Sequence, residues 1–183
     1  MCQNAGMDGS AFDDARRNRA VWDGWAEQFR IDGRRAWRDP EPCWGIWRVP
    51  ETALGVLGDV AGKDVLELGC GTAYQSAWLA RRGARVVGLD NSPAQLASAR
   101  AFQREIGPTF PLLHADAAAV PLRAGSFDVV FNEYGAALWV EPERWVAEAA
   151  RLLRPGGFLA FLTHGFLMPL CWPLDAPRVG MTL

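Results

Sequence analysis

The residues that could do chemistry in this chain fall at the ends of short apolar runs. Glu67 stands two positions before Gly69, and Gly69 and Gly71 flank Cys70. Asp90 and Asp116 close two later runs. Glycines directly after a strand-length stretch let the backbone approach a ligand closely, because a Cβ there would collide with it. A strand that turns on glycines into a helix is a nucleotide-binding layout. Two details narrow the ligand. A dinucleotide fingerprint has a third glycine three residues after Gly71, where this chain has Tyr74. Glu67 adds a negative charge that suits a cationic ligand better than a pyrophosphate. Asp90 lies 21 residues after Gly69, and an acid at the end of the second strand of such folds accepts hydrogen bonds from ribose hydroxyls.

The elements that must position these residues alternate. Val65–Leu68 has strand length, and a helical pattern with Ala77, Trp78 and Leu79 follows, stopped by Gly83. Ala84–Asp90 is a second strand, apolar enough to be central in a parallel sheet. Ser92-Pro93-Ala94-Gln95 reads as a helix start, with Ser92 as N-cap, Pro93 at the first turn and Gln95 closing a capping box. Leu96, Ala99, Phe102 and Ile106 are that helix's inward stripe. Phe110–His114 is a third strand leading to Asp116, and Phe127–Phe131 is a fourth. Trp145, Val146, Ala149, Leu152 and Leu153 form the apolar face of a helix begun near Pro142. Arg154-Pro155-Gly156-Gly157 is a sharp turn into a fifth strand, Phe158–Leu162, ending at Thr163-His164. Strand–helix alternation predicts an α/β fold, a doubly wound parallel sheet with helices on both faces.

Ahead of this core, residues up to about Asp13 read as disordered. A helix is predicted from Asp14 to a stop at Gly33, with Trp22, Trp25 and Phe29 on one face. Trp37, Trp44 and Trp47 follow among Pro40, Pro42 and Pro50, and Pro50–Val60 reads as a short helix with Leu54 and Leu57 inward. Residues 1–61 therefore form a Trp-rich helical cap, residues 62–164 a ligand-binding core, and residues 165–183 a proline-broken tail. The cap's rings either make their own small core on the sheet or wall a substrate cavity over the carboxyl ends of the strands.

With 183 residues, net charge −2 and pI near 5.7, the chain suits one soluble domain and offers no electrostatic reason to bind nucleic acid or an anionic membrane. No apolar run has transmembrane length, and Met1–Asp14 lacks the apolar core of a signal peptide, so a cytoplasmic location is expected. Cys2, Cys43, Cys70 and Cys171 are scattered, with no metal-ligand spacing. They read as free thiols and no metal is expected; Cys70 reads as a small residue that fits the turn.

Val65-Leu66-Glu67-Leu68-Gly69-Cys70-Gly71-Thr72, Val86–Ser92, His114-Ala115-Asp116-Ala117, Phe127–Phe131 and Leu152–Gly157 together resemble, in order, the motifs of class I S-adenosylmethionine-dependent methyltransferases, over about Gly62–His164. The subgroup most resembled methylates small molecules, including ubiquinone-pathway and natural-product substrates. The resemblance implies a Rossmann-like sheet of order 3-2-1-4-5 and S-adenosylmethionine as cofactor. Gly69, Cys70 and Gly71 would meet the methionine part, with Glu67 favouring its positive charge. Asp90, with Asn91 beside it, would hold the ribose. Asp116 and the Ala117 N–H would face the adenine, and Asn132 would border the methionine. Ala73 stands where the family often has another glycine.

The family's terminal helix and antiparallel hairpin have no counterpart before Leu183. The fifth strand would then be an exposed edge. The expectation is a chain that dimerises through that edge, needs a partner, or is a truncated product. Two functional readings follow: a methyltransferase acting on a small apolar or aromatic molecule, or a non-catalytic remnant that binds the cofactor. A dehydrogenase is disfavoured by Tyr74 and Glu67. Glu133, Tyr134 and His164 lie at strand ends where a general base could act; His164 is the best placed of them, against the alternative of a histidine that only caps its strand.

Overall fold

A computed structural model describes residues 8–165, with side chains from residue 14 onward. Helix α1 (Asp8–Ala36) leads into a small antiparallel pair, β1 (Cys43–Trp44) and β2 (Val49–Pro50), and the short α2 (Glu51–Leu54). The core then runs β3 (Asp64–Leu68), α3 (Tyr74–Arg81), β4 (Arg85–Asp90), α4 (Pro93–Ile106), β5 (Leu112–His114), β6 (Phe127–Glu133), α5 (Ala136–Trp139), α6 (Pro142–Leu152) and β7 (Leu153–Leu162). Five strands pair in the order β5-β4-β3-β6-β7, all parallel. Counting core strands alone, this is the expected 3-2-1-4-5 order, with β7 at one edge. The proline-broken tail beyond residue 165 lies outside the described residues, as do residues 1–7 of the stretch read as disordered up to about Asp13.

Alternation along β3 divides the core. Val65 faces one side with Leu79, Val86, Phe102 and Phe131; Leu66 and Leu68 face the other with Leu89, Val130, Trp145 and Leu152. Helices α3 and α4 cover the first face and α6 the second, so both faces of the central strands are dry. Trp37 and Trp44 belong to the first cluster, and Trp37 is fully buried, stacked on Phe110 with its Nε1 donating to the Thr72 carbonyl at 2.7 Å.

Several local expectations change. Helix α1 begins before Asp14 and runs through Gly33, because Gly33 is buried against Thr72: an added Cβ would sit 2.5 Å from the Thr72 Oγ1. Its glycine serves a close approach and not a stop. The helix expected over Pro50–Val60 ends at Gly55 in a left-handed conformation, which leaves Leu54 half exposed and Leu57 buried. Ser92 does cap α4 by accepting from the Gln95 N–H at 3.1 Å. The reciprocal half of the capping box is absent, because the Ser92 N–H donates to Asp90 at 2.8 Å instead. Val146, expected on the apolar face of α6, is more than a third exposed. The turn at Arg154–Gly157 bulges out of the β6–β7 ladder, where Phe127 faces Leu153 and Val129 already faces Phe158.

Candidate cofactor and active site

Parallel strands point their carboxyl ends the same way, so the turns after β3, β4, β5 and β6 meet on one edge of the sheet. The acids of these four turns or strand ends open on one cavity of about 1280 Å³: Asp116 beyond β5, Asp90 ending β4, Glu67 in β3 and Glu133 ending β6. Helix α1 lies across this edge as a wall. Asp23 accepts from the Ser92 hydroxyl at 2.5 Å, and Arg19 donates to the Asn91 side-chain oxygen at 3.0 Å.

Glu67 is almost wholly buried beneath the glycine turn. One carboxylate oxygen accepts from the Ser76 N–H at 3.0 Å and from its hydroxyl. Burial pushes its pKa up to about 8; the Ser76 bonds oppose the rise, and Glu133 and Asp90 nearby add to it. Asp90 is also buried, and burial raises its pKa against the backbone N–H bonds from Ser92 and Gly71, the latter at 2.6 Å. Glu133 gathers three neutral donors: the Gly45 N–H at 2.7 Å, the Tyr74 hydroxyl at 2.5 Å and the Gln75 amide at 3.0 Å. Burial first, and then Glu133, raise the pKa of Tyr74. Asp116 accepts from the Ala118 N–H at 2.9 Å. Among the described residues none of the four acids forms an ion pair.

The glycine turn does two jobs. Gly69 (φ +77°) has no room for a Cβ because the Gly135–Ala136 backbone lies 2.8 Å from where it would be. Its clearance is used by the protein itself. Gly71 (φ +52°) faces open space, with only the Gln95 Oε1 as near as 3.9 Å to an added Cβ, so its clearance is left to the cavity. Ala73 adopts φ +60°, the left-handed conformation an L-residue with a Cβ takes at a cost of about 1–2 kcal/mol. That is the conformational reason a glycine suits this position.

The expected site residues divide. Glu67, Gly69, Cys70, Gly71, Asp90, Asn91, Asp116 and Ala117 all line the cavity. Asn132 does not: it is fully buried, donating to the Leu68 carbonyl and accepting from the Ala137 N–H at 3.1 Å, so it clamps the ends of β3 and β6 together. His164 does not line the cavity either; its ring packs at 5.0 Å on that of Tyr134, which does. Burial pushes the Cys70 thiol up, away from the reactive thiolate.

Sequence reasoning missed the Tyr74–Gln75–Glu133 cluster, since Tyr74 registered only as an absent glycine. It also missed Trp139, whose ring meets Trp22 at 5.2 Å and Trp25 at 6.2 Å and completes an aromatic wall with Phe29. A signal existed: Trp139 is an isolated aromatic in a stretch without strand or long-helix periodicity. Tyr134, at φ +54°, is a further non-glycine residue held left-handed at the cavity, and such conformations cluster at functional sites.

The four acids of this edge, and the open space at Gly71, fit a ligand rich in donors and positive charge. That describes S-adenosylmethionine better than a dinucleotide. The parallel order and the strand-end site define the Rossmann-like class. The model of the methyltransferase domain family matches residues 66–161, more than half of the chain. This chain belongs to that family, the class I S-adenosylmethionine-dependent methyltransferases. It is 39% identical to the demethylmenaquinone methyltransferase of Clavibacter sepedonicus over 113 residues, 61% of this chain and 44% of that protein. It is 38% identical to the ubiquinone biosynthesis O-methyltransferase of Aromatoleum aromaticum over 105 residues, 57% of this chain and 45% of that protein. The solved S-adenosylmethionine-dependent methyltransferase of Mesorhizobium loti superposes with a TM-score of 0.52 at 30% identity, covering 60% of this chain and 50% of that one. The chain thus spans about half the length of the curated relatives it matches. Among the described residues no helix is long and apolar enough to cross a membrane.

Proposed function

We propose that this chain binds S-adenosylmethionine along the carboxyl edge of its sheet and transfers the methyl group to a small apolar or aromatic acceptor. One observation carries the reading: four strand-end acids, unpaired by any cation among the described residues, line a single cavity beside an open glycine. Asp116 and Ala117 would take the adenine, Asp90 the ribose hydroxyls, and Glu67 with the Gly71 turn the methionine end. The bound cofactor supplies an electrophilic methyl on a sulfonium. The chain's own part is alignment and exclusion of water, which can supply much of the rate of an in-line transfer.

The acceptor class follows from the remaining wall. A cavity of about 1280 Å³ exceeds the roughly 300–1,000 Å³ usual for one ligand, so a second molecule fits beside the first. Trp22, Phe29, Leu138, Trp139 and Val140 line that space. The two named relatives act on quinone-pathway compounds, which agrees with an aromatic acceptor. Where the acceptor must lose a proton, Tyr134 contacts the cavity and His164 reaches it only through Tyr134.

Calorimetry with S-adenosylmethionine, S-adenosylhomocysteine and NAD tests the cofactor. The first two should bind and NAD should not. Incubation with a panel of catechols and hydroquinones, read by mass spectrometry for a methyl gain, tests the transfer. Cofactor binding with no turnover on any acceptor would favour the non-catalytic reading.

A further inference from the structure

We propose that Glu133 is the charge that distinguishes the methylated cofactor from its demethylated product. The inference rests on the methyl-donor reading above.

The strand order sets out the cavity's acids in a row. Adjacent strands lie about 4.8 Å apart, so the three steps from β5 to β6 span about 14 Å. Asp116 and Asp90 stand at the β5 and β4 end of this row, where the adenine and ribose would lie. A ligand extended along the edge brings its two cationic centres, ammonium and sulfonium, toward β3 and β6. Two acids are available there, Glu67 and Glu133. Glu67 sits under the glycine turn with one oxygen committed to Ser76. Glu133 is partly exposed on the cavity wall at the far end of the row.

The partners of Glu133 are informative. The carboxylate braces the β1–β2 turn to α3 through both oxygens, one accepting from the Gly45 N–H and the other from the Tyr74 hydroxyl and the Gln75 amide, and all three donors are neutral. Arg48, the nearby cation on that turn, is committed to Asp39 at 2.5 Å. The charge of Glu133 is therefore fixed in place and uncompensated. A fixed negative charge a few ångströms from a sulfonium attracts it, whereas the neutral thioether of S-adenosylhomocysteine feels almost none of this. Both molecules carry the same ammonium, ribose and adenine, so acids that meet only those groups do not separate them.

The test is titration calorimetry of the full chain with S-adenosylmethionine and S-adenosylhomocysteine, for wild type, Glu133→Gln and Glu133→Asp. Tyr74 and Gln75 donate to the same Glu133 oxygen, so in Glu133→Gln the side-chain carbonyl can take that oxygen's place and the brace loses only the Gly45 N–H bond. The expected result for Glu133→Gln is about ten-fold weaker binding of S-adenosylmethionine, with S-adenosylhomocysteine within about two-fold of wild type, as loss of one charge–charge interaction predicts. Glu133→Asp disturbs the brace and keeps the charge, so it should weaken both ligands while preserving their ratio. Equal weakening of both ligands in Glu133→Gln, or a ratio lost in Glu133→Asp, overturns the proposal and leaves Glu133 a brace. Wild type that binds neither ligand overturns the methyl-donor reading itself.

Discussion

At the amino edge of the sheet, Asp64 bonds to Arg85 at 2.6 Å and to Arg154 at 2.7 Å, and Asp128 bonds to the same Arg154 at 2.8 Å. At the carboxyl edge, Glu67, Asp90, Asp116 and Glu133 meet hydroxyls, amides and backbone N–H groups and no cation among the described residues. The pKa values diverge accordingly. Arg85 first, joined by Arg154, holds Asp64 down to about 2 against its desolvation, while burial lifts Glu67 to about 8. The same strands carry both sets of acids. An edge that only had to be stable would pair its carboxylates, as the amino edge does. The carboxyl edge leaves its acids without a cation among the described residues, and at pH 7 burial keeps Glu67 largely protonated.

Neutralising Glu67 should break the contrast most. A carboxyl whose folded pKa is above its unfolded one binds protons more tightly when folded. Its contribution is full below about pH 4.5 and is lost as pH rises through about 8. Glu67→Gln removes that loss. At about 1.4 kcal/mol per unit, the ligand-free variant should be more stable than wild type at pH 9 by an amount on the order of 3–5 kcal/mol. The gain should vanish below about pH 4.5. Urea unfolding at pH 4.5, 7 and 9 measures this, and equal midpoint differences at all three would refute it. The same residue predicts that S-adenosylmethionine binding at pH 7 releases close to one proton, seen as a dependence of calorimetric enthalpy on buffer ionisation heat and absent in Glu67→Gln.

Asp90→Ala comes next. It removes a charged acceptor from buried donors and should weaken S-adenosylmethionine binding by about 1–3 kcal/mol. Unchanged affinity would remove Asp90 from the site.

Asp64→Asn sharpens the other side of the contrast with the smallest effect. A depressed carboxylate pKa gives stability that is present above about pH 4 and lost as pH falls toward about 2. Asp64 is a quarter exposed and its arginines more so. Solvent and salt therefore limit the effect to about 1 kcal/mol or less at pH 7. A melting shift larger than that of Glu67→Gln would reverse the ranking of the two edges.

The glycine turn, the acids at strand ends and the strand sequence were legible because each is a local pattern with a local cause. Ser92 could be read as a cap since its partner is three residues on. What was illegible depends on distant backbone. Gly33 looks like a stop until Thr72 is found against it. Asn132 looks like a ligand residue until the Leu68 carbonyl is seen to occupy it. Tyr74 reads as a departure from a motif, and only the end of β6 shows that its hydroxyl has a purpose. His164 sits where a base could act, yet one ring, Tyr134, separates it from the cavity.

The contact between Gly33 and Thr72 has a mechanical meaning. Trp37, one turn further along the chain, bonds the same Thr72 through its carbonyl, so the cap is pinned to the glycine turn at a single residue. From Gly33 back to Trp22 the helix extends about 16 Å at 1.5 Å per residue. The Trp22 end is held as well, because Asp23 accepts from the Ser92 hydroxyl and Arg19 donates to the Asn91 side-chain oxygen, so α1 is a strut that joins the glycine turn to the segment just past β4. A tilt of about 5° at Gly33 would move the Trp22 end by about 1.4 Å over this length, enough to stretch those bonds. A methyl group added at Gly33 would therefore be felt far from where it is placed, at the bonds that Asp23 and Arg19 make just past β4.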